Sequence, residues 1–132
     1  MTMASEMCRP TVVVVDDDAD FLELVARWLK PQYNVVCLPG GVDASTNIAA
    51  LNADLLIMDI HMPGCGGFDI SRQLRAQNGY EDLPVIFLTG SKSPRDAARY
   101  LDFNGCRYML KPITGKQLRD AVSEQLGMKM VG

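Results

Sequence analysis

Three consecutive aspartates stand directly after a run of four valines. The run from Val12 to Val15 is short and β-branched, which is typical of a strand buried on both faces of a parallel sheet. Asp16, Asp17 and Asp18 would then lie at the sheet edge where open α/β proteins keep their ligand sites. Carboxylates held this close repel one another unless water or a cation compensates their charge. Because Asp18 also suits the N-cap of the next helix, we interpret Asp16 and Asp17 as the candidate ligand pair.

Three more short apolar runs end in a polar side chain. In chain order, Asp59 follows Leu55–Met58, Thr89 follows Val85–Leu88, and Lys111 follows residues 108–110. Because the carboxyl ends of parallel strands share one edge of a sheet, we expect these side chains to converge on the aspartate pair. All of these side chains in this order indicate a shared site far more specifically than any one of them does.

Predicted strands and helices alternate along the whole chain, which indicates an α/β protein with helices on both faces of a parallel sheet. The pattern predicts five strands and five helices. The second helix is expected over about 42–52, and the fourth between Ser93 as N-cap and a stop at Asn104-Gly105. The last begins with a capping box at Thr114 to Gln117.

Length and composition place the chain among ordinary globular proteins. Its 132 residues predict one domain, with a core at about 11–126 and flexible tails at 1–9 and 127–132. The net charge of −3 and the lack of a basic stripe argue against direct nucleic-acid binding. The longest apolar run is far short of the ~20 residues that a membrane span needs. Because residues 1–9 lack a signal pattern, we expect a cytoplasmic protein.

The converging side chains suggest phosphoryl chemistry with a metal. Carboxylates without a cysteine or histidine cluster form an all-oxygen site, which suits Mg²⁺. A lysine and a threonine hydroxyl could contact phosphoryl oxygens. An ionised aspartate can attack phosphorus, and Asp59 is the carboxylate that stands apart from the pair.

Taken together, these residues resemble the receiver domain of response regulators, over about Thr11 to Leu126. The chain is similar to the single-domain chemotaxis regulator and to the N-terminal halves of many transcriptional regulators. The resemblance is carried by Asp16-Asp17, Asp59 with Met62-Pro63, Gly67, Thr89, Tyr108 and Lys111-Pro112.

The resemblance implies a flavodoxin-like fold: a doubly wound five-stranded parallel sheet in order 2-1-3-4-5, flanked by five helices. It implies Mg²⁺ bound by Asp16, Asp17, Asp59 and the backbone carbonyl of His61. Asp59 is the implied phosphoacceptor, assisted by Lys111 and Thr89. The Lys111–Pro112 peptide bond is expected to be cis, as in the family.

The resemblance also implies partners and a switch. A sensor histidine kinase or a histidine phosphotransfer protein would supply the phosphoryl group. Thr89 and Tyr108 would then report phosphorylation on the face made by the fourth helix, the last strand and the fifth helix. A downstream protein or a second copy of the chain would bind there. Such a domain catalyses only its own phosphorylation and dephosphorylation.

Some alternatives stay open at this point. A Mg²⁺-dependent phosphatase that forms an aspartyl phosphate usually has a second Asp two residues after its nucleophile, where this chain has His61. The sequence is also compatible with a receiver fragment of a larger transcriptional regulator or hybrid kinase.

Overall fold

The computed structural model describes residues 9–40, 43–62, 66–90 and 106–131. Five strands form one parallel sheet in the order β2-β1-β3-β4-β5, as expected. The strands are β1 Thr11–Val15, β2 Asn34–Leu38, β3 Leu55–Met58, β4 Val85–Thr89 and β5 Cys106–Leu110.

The described residues contain four helices, not the five that the alternation predicts. They are α1 Ala19–Leu29, α2 Ala44–Ala49, α3 Gly67–Arg75 and α4 Gly115–Val131. The helix predicted between Ser93 and Asn104 falls on residues outside the described ranges. No helix in these ranges is long and apolar enough to cross a membrane.

Two helices differ in length from their prediction. The second helix is shorter than the predicted 42–52: it ends at Ala49, and Asn52 takes a left-handed backbone with φ of 54° that a continuing helix does not allow. The last helix is longer, and its backbone is helical to Val131 where we expected a tail from residue 127. The sequence after Leu126 has no proline, and Gly127 alone does not end the helix.

Strand residues alternate between two cores, one on each face of the sheet. Val13 and Val15 face one core, and Val12 and Val14 face the other. Helices α2 and α3 cover the first core, where the rings of Phe68 and Phe87 lie 4.8 Å apart. Helices α1 and α4 cover the second core. Burial on both faces explains why the central strands β1, β3 and β4 are continuously apolar and end abruptly in polar residues.

The predicted helix caps position the loops at the carboxyl edge of the sheet. The Asp18 carboxylate accepts the N–H groups of Asp20 at 3.0 Å and Phe21 at 3.2 Å, and so caps α1. Thr114 and Gln117 form the reciprocal capping box of α4. Each cap provides partners for amides that the helix itself leaves unpaired.

Candidate functional site

Asp16 is a buried carboxylate at the end of β1. Its residue is 2% exposed, and its backbone N–H continues the sheet by donating to the carbonyl of Leu38 at 3.1 Å. One carboxylate oxygen accepts the Asp18 N–H at 2.9 Å, and the other accepts the ammonium of Lys111 at 2.8 Å. Both oxygens therefore have partners, as the burial of a charge requires.

Asp59 lies beside Asp16, at the end of the neighbouring strand. Its N–H donates to the carbonyl of Val15 at 3.2 Å, which extends the pairing of β1 with β3. One oxygen of its carboxylate accepts the N–H of His61 at 3.1 Å, and the other accepts Lys111 at 3.2 Å. The side chain is 13% exposed, so Asp59 is held in place and still reachable from solvent.

Gly67 lets the chain pass close to the backbone of Asp59. Its N–H donates to the carbonyl of Ile60 at 2.8 Å. A Cβ atom at this position would lie 2.2 Å from the carbonyl oxygen of Asp59, far inside van der Waals contact. Only glycine fits between the start of α3 and the candidate phosphoacceptor.

Three carboxylates meet at this edge of the sheet. One oxygen from each of Asp16, Asp17 and Asp59 lies within 4.8 Å of the other two, with Asp16 buried and Asp17 exposed. Their three negative charges face the single positive charge of Lys111, so a divalent cation would complete the charge balance. The donors are all oxygen, and this donor set fits Mg²⁺.

Lys111 bridges Asp16 and Asp59 from the end of β5. Its side chain is 23% exposed, its backbone N–H donates to the carbonyl of Thr89 at 2.8 Å, and the following peptide bond to Pro112 is cis, as expected. Burial alone would lower the pKa of Lys111, but the hydrogen bonds and charges of Asp16 and Asp59 outweigh it and raise the pKa above its ordinary value. Lys111 is therefore fully charged at neutral pH.

The ammonium of Lys111 also contacts an aromatic ring, which the sequence did not suggest. The Lys111 Nζ lies 4.2 Å from the centre of the Phe21 ring, on the first turn of α1. In the sequence Phe21 belongs to the apolar stripe of α1, and its ring does pack beside the second core. The helical pattern predicts that core contact and contains no signal for a lysine close to the ring.

The remaining predicted residues lie around this cluster. Thr89 is 1% exposed at the end of β4, the strand between those that carry Asp59 and Lys111. Tyr108 is half-buried on β5 against the first core and pairs in register with Phe87. His61 is exposed, and within the described residues the acidic cluster consists of aspartates without its imidazole.

Comparison with known sequences decides the family. The sequence profile of the response regulator receiver domain matches residues 12–123. The chain belongs to this family. It is the receiver domain of a two-component signalling system, and the rival interpretation as an aspartyl-phosphate phosphatase is not favoured.

This receiver domain has curated relatives and solved structural neighbours. It is 31% identical over 119 residues to the DNA-binding response regulator MtrA of Mycolicibacterium paratuberculosis, covering 89% of this chain and 52% of MtrA. The signal receiver domain of an HD domain-containing protein from Pseudomonas fluorescens Pf-5 superposes with a TM-score of 0.85 at 24% identity, covering 94% of this chain and 99% of that one.

A third neighbour is the receiver domain of the sensor histidine kinase PA1611 from Pseudomonas aeruginosa PAO1. It has a TM-score of 0.80 at 23% identity and covers 91% of this chain and 99% of that one. Its crystal structure has a magnesium ion coordinated in the active site cleft. At these identities the two structural matches establish the fold alone.

The chain spans about half or less of the length of the curated relatives it matches. Receiver domains in general work with histidine kinases and downstream effectors. The expected absence of nucleic acid among its partners is not confirmed, because one relative is named as DNA-binding.

Proposed function

We propose that this receiver domain accepts a phosphoryl group on Asp59 and thereby switches a partner-binding surface. The donor is a sensor histidine kinase, a histidine phosphotransfer protein or a small phosphodonor. The observation that carries the proposal is that Lys111 bridges Asp16 and Asp59, at 2.8 and 3.2 Å, while Asp17 completes the carboxylate cluster. This combination of nucleophile, cation and oxygen donors is what phosphoryl transfer needs.

Asp59 is the nucleophile because its carboxylate is both held in place and accessible from solvent. One of its carboxylate oxygens attacks the phosphorus atom of the donor and forms a new P–O bond. The P–N bond of a phosphohistidine, or the P–O bond of acetyl phosphate, breaks, and the leaving group takes the electron pair. The Lys111 ammonium then exchanges its Asp59 hydrogen bond for one to a phosphoryl oxygen.

The proposed metal ligands are the carboxylates of Asp16, Asp17 and Asp59 together with the backbone carbonyl of His61. A bound Mg²⁺ ion neutralises the negative charge that the aspartates and the phosphoryl oxygens bring together. Support comes from the all-oxygen donor set and from the receiver domain of PA1611, which carries magnesium in its cleft. With few protein ligands, Mg²⁺ binding is weak in the absence of phosphate.

Thr89 and Tyr108 transmit the effect of phosphorylation from Asp59 to the partner-binding surface. Thr89 donates a hydrogen bond to the new phosphoryl group, and the space it leaves lets the half-buried Tyr108 turn further inward. The output face comprises the helix predicted at 93–104, strand β5 and helix α4, and it binds a downstream protein or a second copy of the chain. The domain acts in the cytoplasm and catalyses only its own phosphorylation and dephosphorylation.

Labelling by acetyl phosphate tests the proposal. The wild-type chain is incubated with the phosphodonor in the presence of Mg²⁺ or of a chelator, and bound phosphoryl is measured by intact mass. We expect labelling that depends on Mg²⁺, none in Asp59→Asn, and normal labelling in Asp18→Asn, since asparagine also caps a helix. Labelling of Asp59→Asn at His61 would contradict the proposal.

A further inference from the structure

We infer that Phe21 is a positioning residue for Lys111, and that its ring holds the lysine ammonium over the phosphoacceptor site by a cation–π contact. The Lys111 Nζ lies 4.2 Å from the ring centre, within the range of such contacts. The effect on phosphorylation rests on the proposed function, whereas the contact itself can be tested without it.

The Lys111 ammonium has three N–H groups; two carboxylates accept from it, and the Phe21 ring lies close to it. Two of its hydrogens point to Asp16 and Asp59, at 2.8 and 3.2 Å. The ring of Phe21 covers a third side, and with the two carboxylates it leaves the Lys111 side chain only 23% exposed. Because the ring shields the cation from water, the attraction between cation and ring is stronger than at an exposed site.

Phosphorylation changes the carboxylate of Asp59 but leaves the ring of Phe21 unchanged. When Asp59 becomes an acyl phosphate it loses its carboxylate charge, and that charge then lies on the phosphoryl oxygens. The lysine must follow this charge without turning away into solvent. Phe21 lies on α1 and takes no part in the transfer, so its contact with Lys111 is available before and after it.

The local structure keeps the ring in position. The Asp18 carboxylate accepts the N–H of Phe21 at 3.2 Å, which orients the first turn of α1. The Phe21 side chain is also partly buried against the second core. Asp18 thus has a role in the site although it is not a member of the carboxylate cluster: its cap places the residue that covers Lys111.

The first test is spectroscopic and needs no phosphodonor. A ring facing the lysine shifts the Lys111 Hε resonances upfield in the NMR spectrum, with exposed Lys116, whose side chain is 80% exposed, as the reference. We expect the shift in wild type and in Phe21→Tyr, and its loss in Phe21→Leu. Lys111 resonances that coincide with those of Lys116 in wild type would overturn the inference.

The second test measures the rate of labelling by acetyl phosphate. We expect Phe21→Leu to be about 3- to 30-fold slower than wild type, Phe21→Tyr to be close to wild type, and Leu24→Ala, an exposed change on the same helix, to have no effect. In a Lys111→Met background, Phe21→Leu should cause no further loss.

The outcomes separate the two proposals. Equal labelling rates for Phe21→Leu and wild type would contradict a positioning role for Phe21. The same role would be contradicted if Phe21→Leu lowered the labelling rate as much in the Lys111→Met background as in wild type. A wild-type chain that takes up no phosphoryl group would instead contradict the proposed function, and the NMR result would still decide the contact between Phe21 and Lys111.

Discussion

The ammonium of Lys111 donates a 2.8 Å hydrogen bond to the carboxylate of Asp16, although 95 positions separate the two residues in the chain. The contact joins the ends of β5 and β1, which are not neighbouring strands. The buried carboxylate of Asp16 is thereby paired with the cation of Lys111. Asp59, which follows β3, one of the two strands between β1 and β5, shares the same cation. The electrostatics of the site depend on this pairing.

The pairing predicts how stability changes at high pH. Because the pKa of Lys111 is raised in the folded chain, its stabilising contribution is complete below its ordinary pKa of 10.5 and is lost as the pH rises through the raised value. Urea unfolding of wild type and Lys111→Met should therefore differ by a constant amount from neutral pH to 10.5 and converge above it. A difference that already shrinks between pH 7 and 9, about where Lys is normally charged, would be inconsistent with the bridge.

Removal of the exposed member of the carboxylate cluster should change stability and metal binding in opposite directions. Asp17→Asn takes away a negative charge that is repelled by Asp16 and Asp59, so the chain without Mg²⁺ should melt at a slightly higher temperature. Its Mg²⁺ affinity should fall about tenfold or more. Thermal unfolding with and without Mg²⁺ measures both effects. Asp20→Asn, an exposed change in the first turn of α1, is the control and should leave the Mg²⁺ affinity unchanged.

Gly67→Ala should impair both the fold and the site. The added Cβ would lie 2.2 Å from the Asp59 carbonyl, so α3 or the Asp59 backbone must move, at a cost of about 1–3 kcal/mol in the free energy of unfolding. Denaturant unfolding and acetyl phosphate labelling should both show the loss. Gly127→Ala meets no neighbouring atom and lies in α4, so it should be neutral or stabilising. If Gly67→Ala were as stable as wild type, the backbone at position 67 would have to lie farther from the Asp59 carbonyl than in this structure.

Thr89→Ala should separate phosphorylation from its readout. The variant should still accept a phosphoryl group at Asp59, because it keeps the nucleophile and the Lys111 bridge between Asp16 and Asp59. A hydrogen bond to a charged group contributes about 1.5–3 kcal/mol, or roughly a tenfold to hundredfold shift between two states. The phosphorylation-dependent NMR change at Tyr108 should therefore be mostly lost, while the exposed change Thr46→Ala keeps it. A full response in Thr89→Ala would refute this route of coupling.

The sheet and most of the site could be predicted because the central strands β1, β3 and β4 are buried on both faces, and a polar residue stands at or just after the end of these strands and of β5. The valine run, Asp59, Thr89 and Lys111 all followed from this pattern. Helix ends were less predictable: Ala49 is followed by a turn that no proline marks, and α4 continues through Gly127, because a single glycine without a proline does not end a helix.

Two contacts in the site could not be predicted from sequence patterns. The contact of Phe21 with Lys111 depends on how α1 packs against the sheet, and a helical stripe shows only that the ring faces inward. The approach of Gly67 to Asp59 depends on the path of the loop before α3. Both are distances between elements that come together only in the folded chain.

Chemical mapping of the phosphoryl group tests the central claim most directly. The wild-type chain is phosphorylated with acetyl phosphate and Mg²⁺, and the acyl phosphate is reduced with borohydride, which converts the modified aspartate to homoserine. Peptide mass spectrometry then identifies the position. We predict homoserine at residue 59 alone, in an amount that falls with omission of Mg²⁺. Homoserine at Asp16 or Asp17, or phosphoryl retained on His61, would contradict Asp59 as the phosphoacceptor.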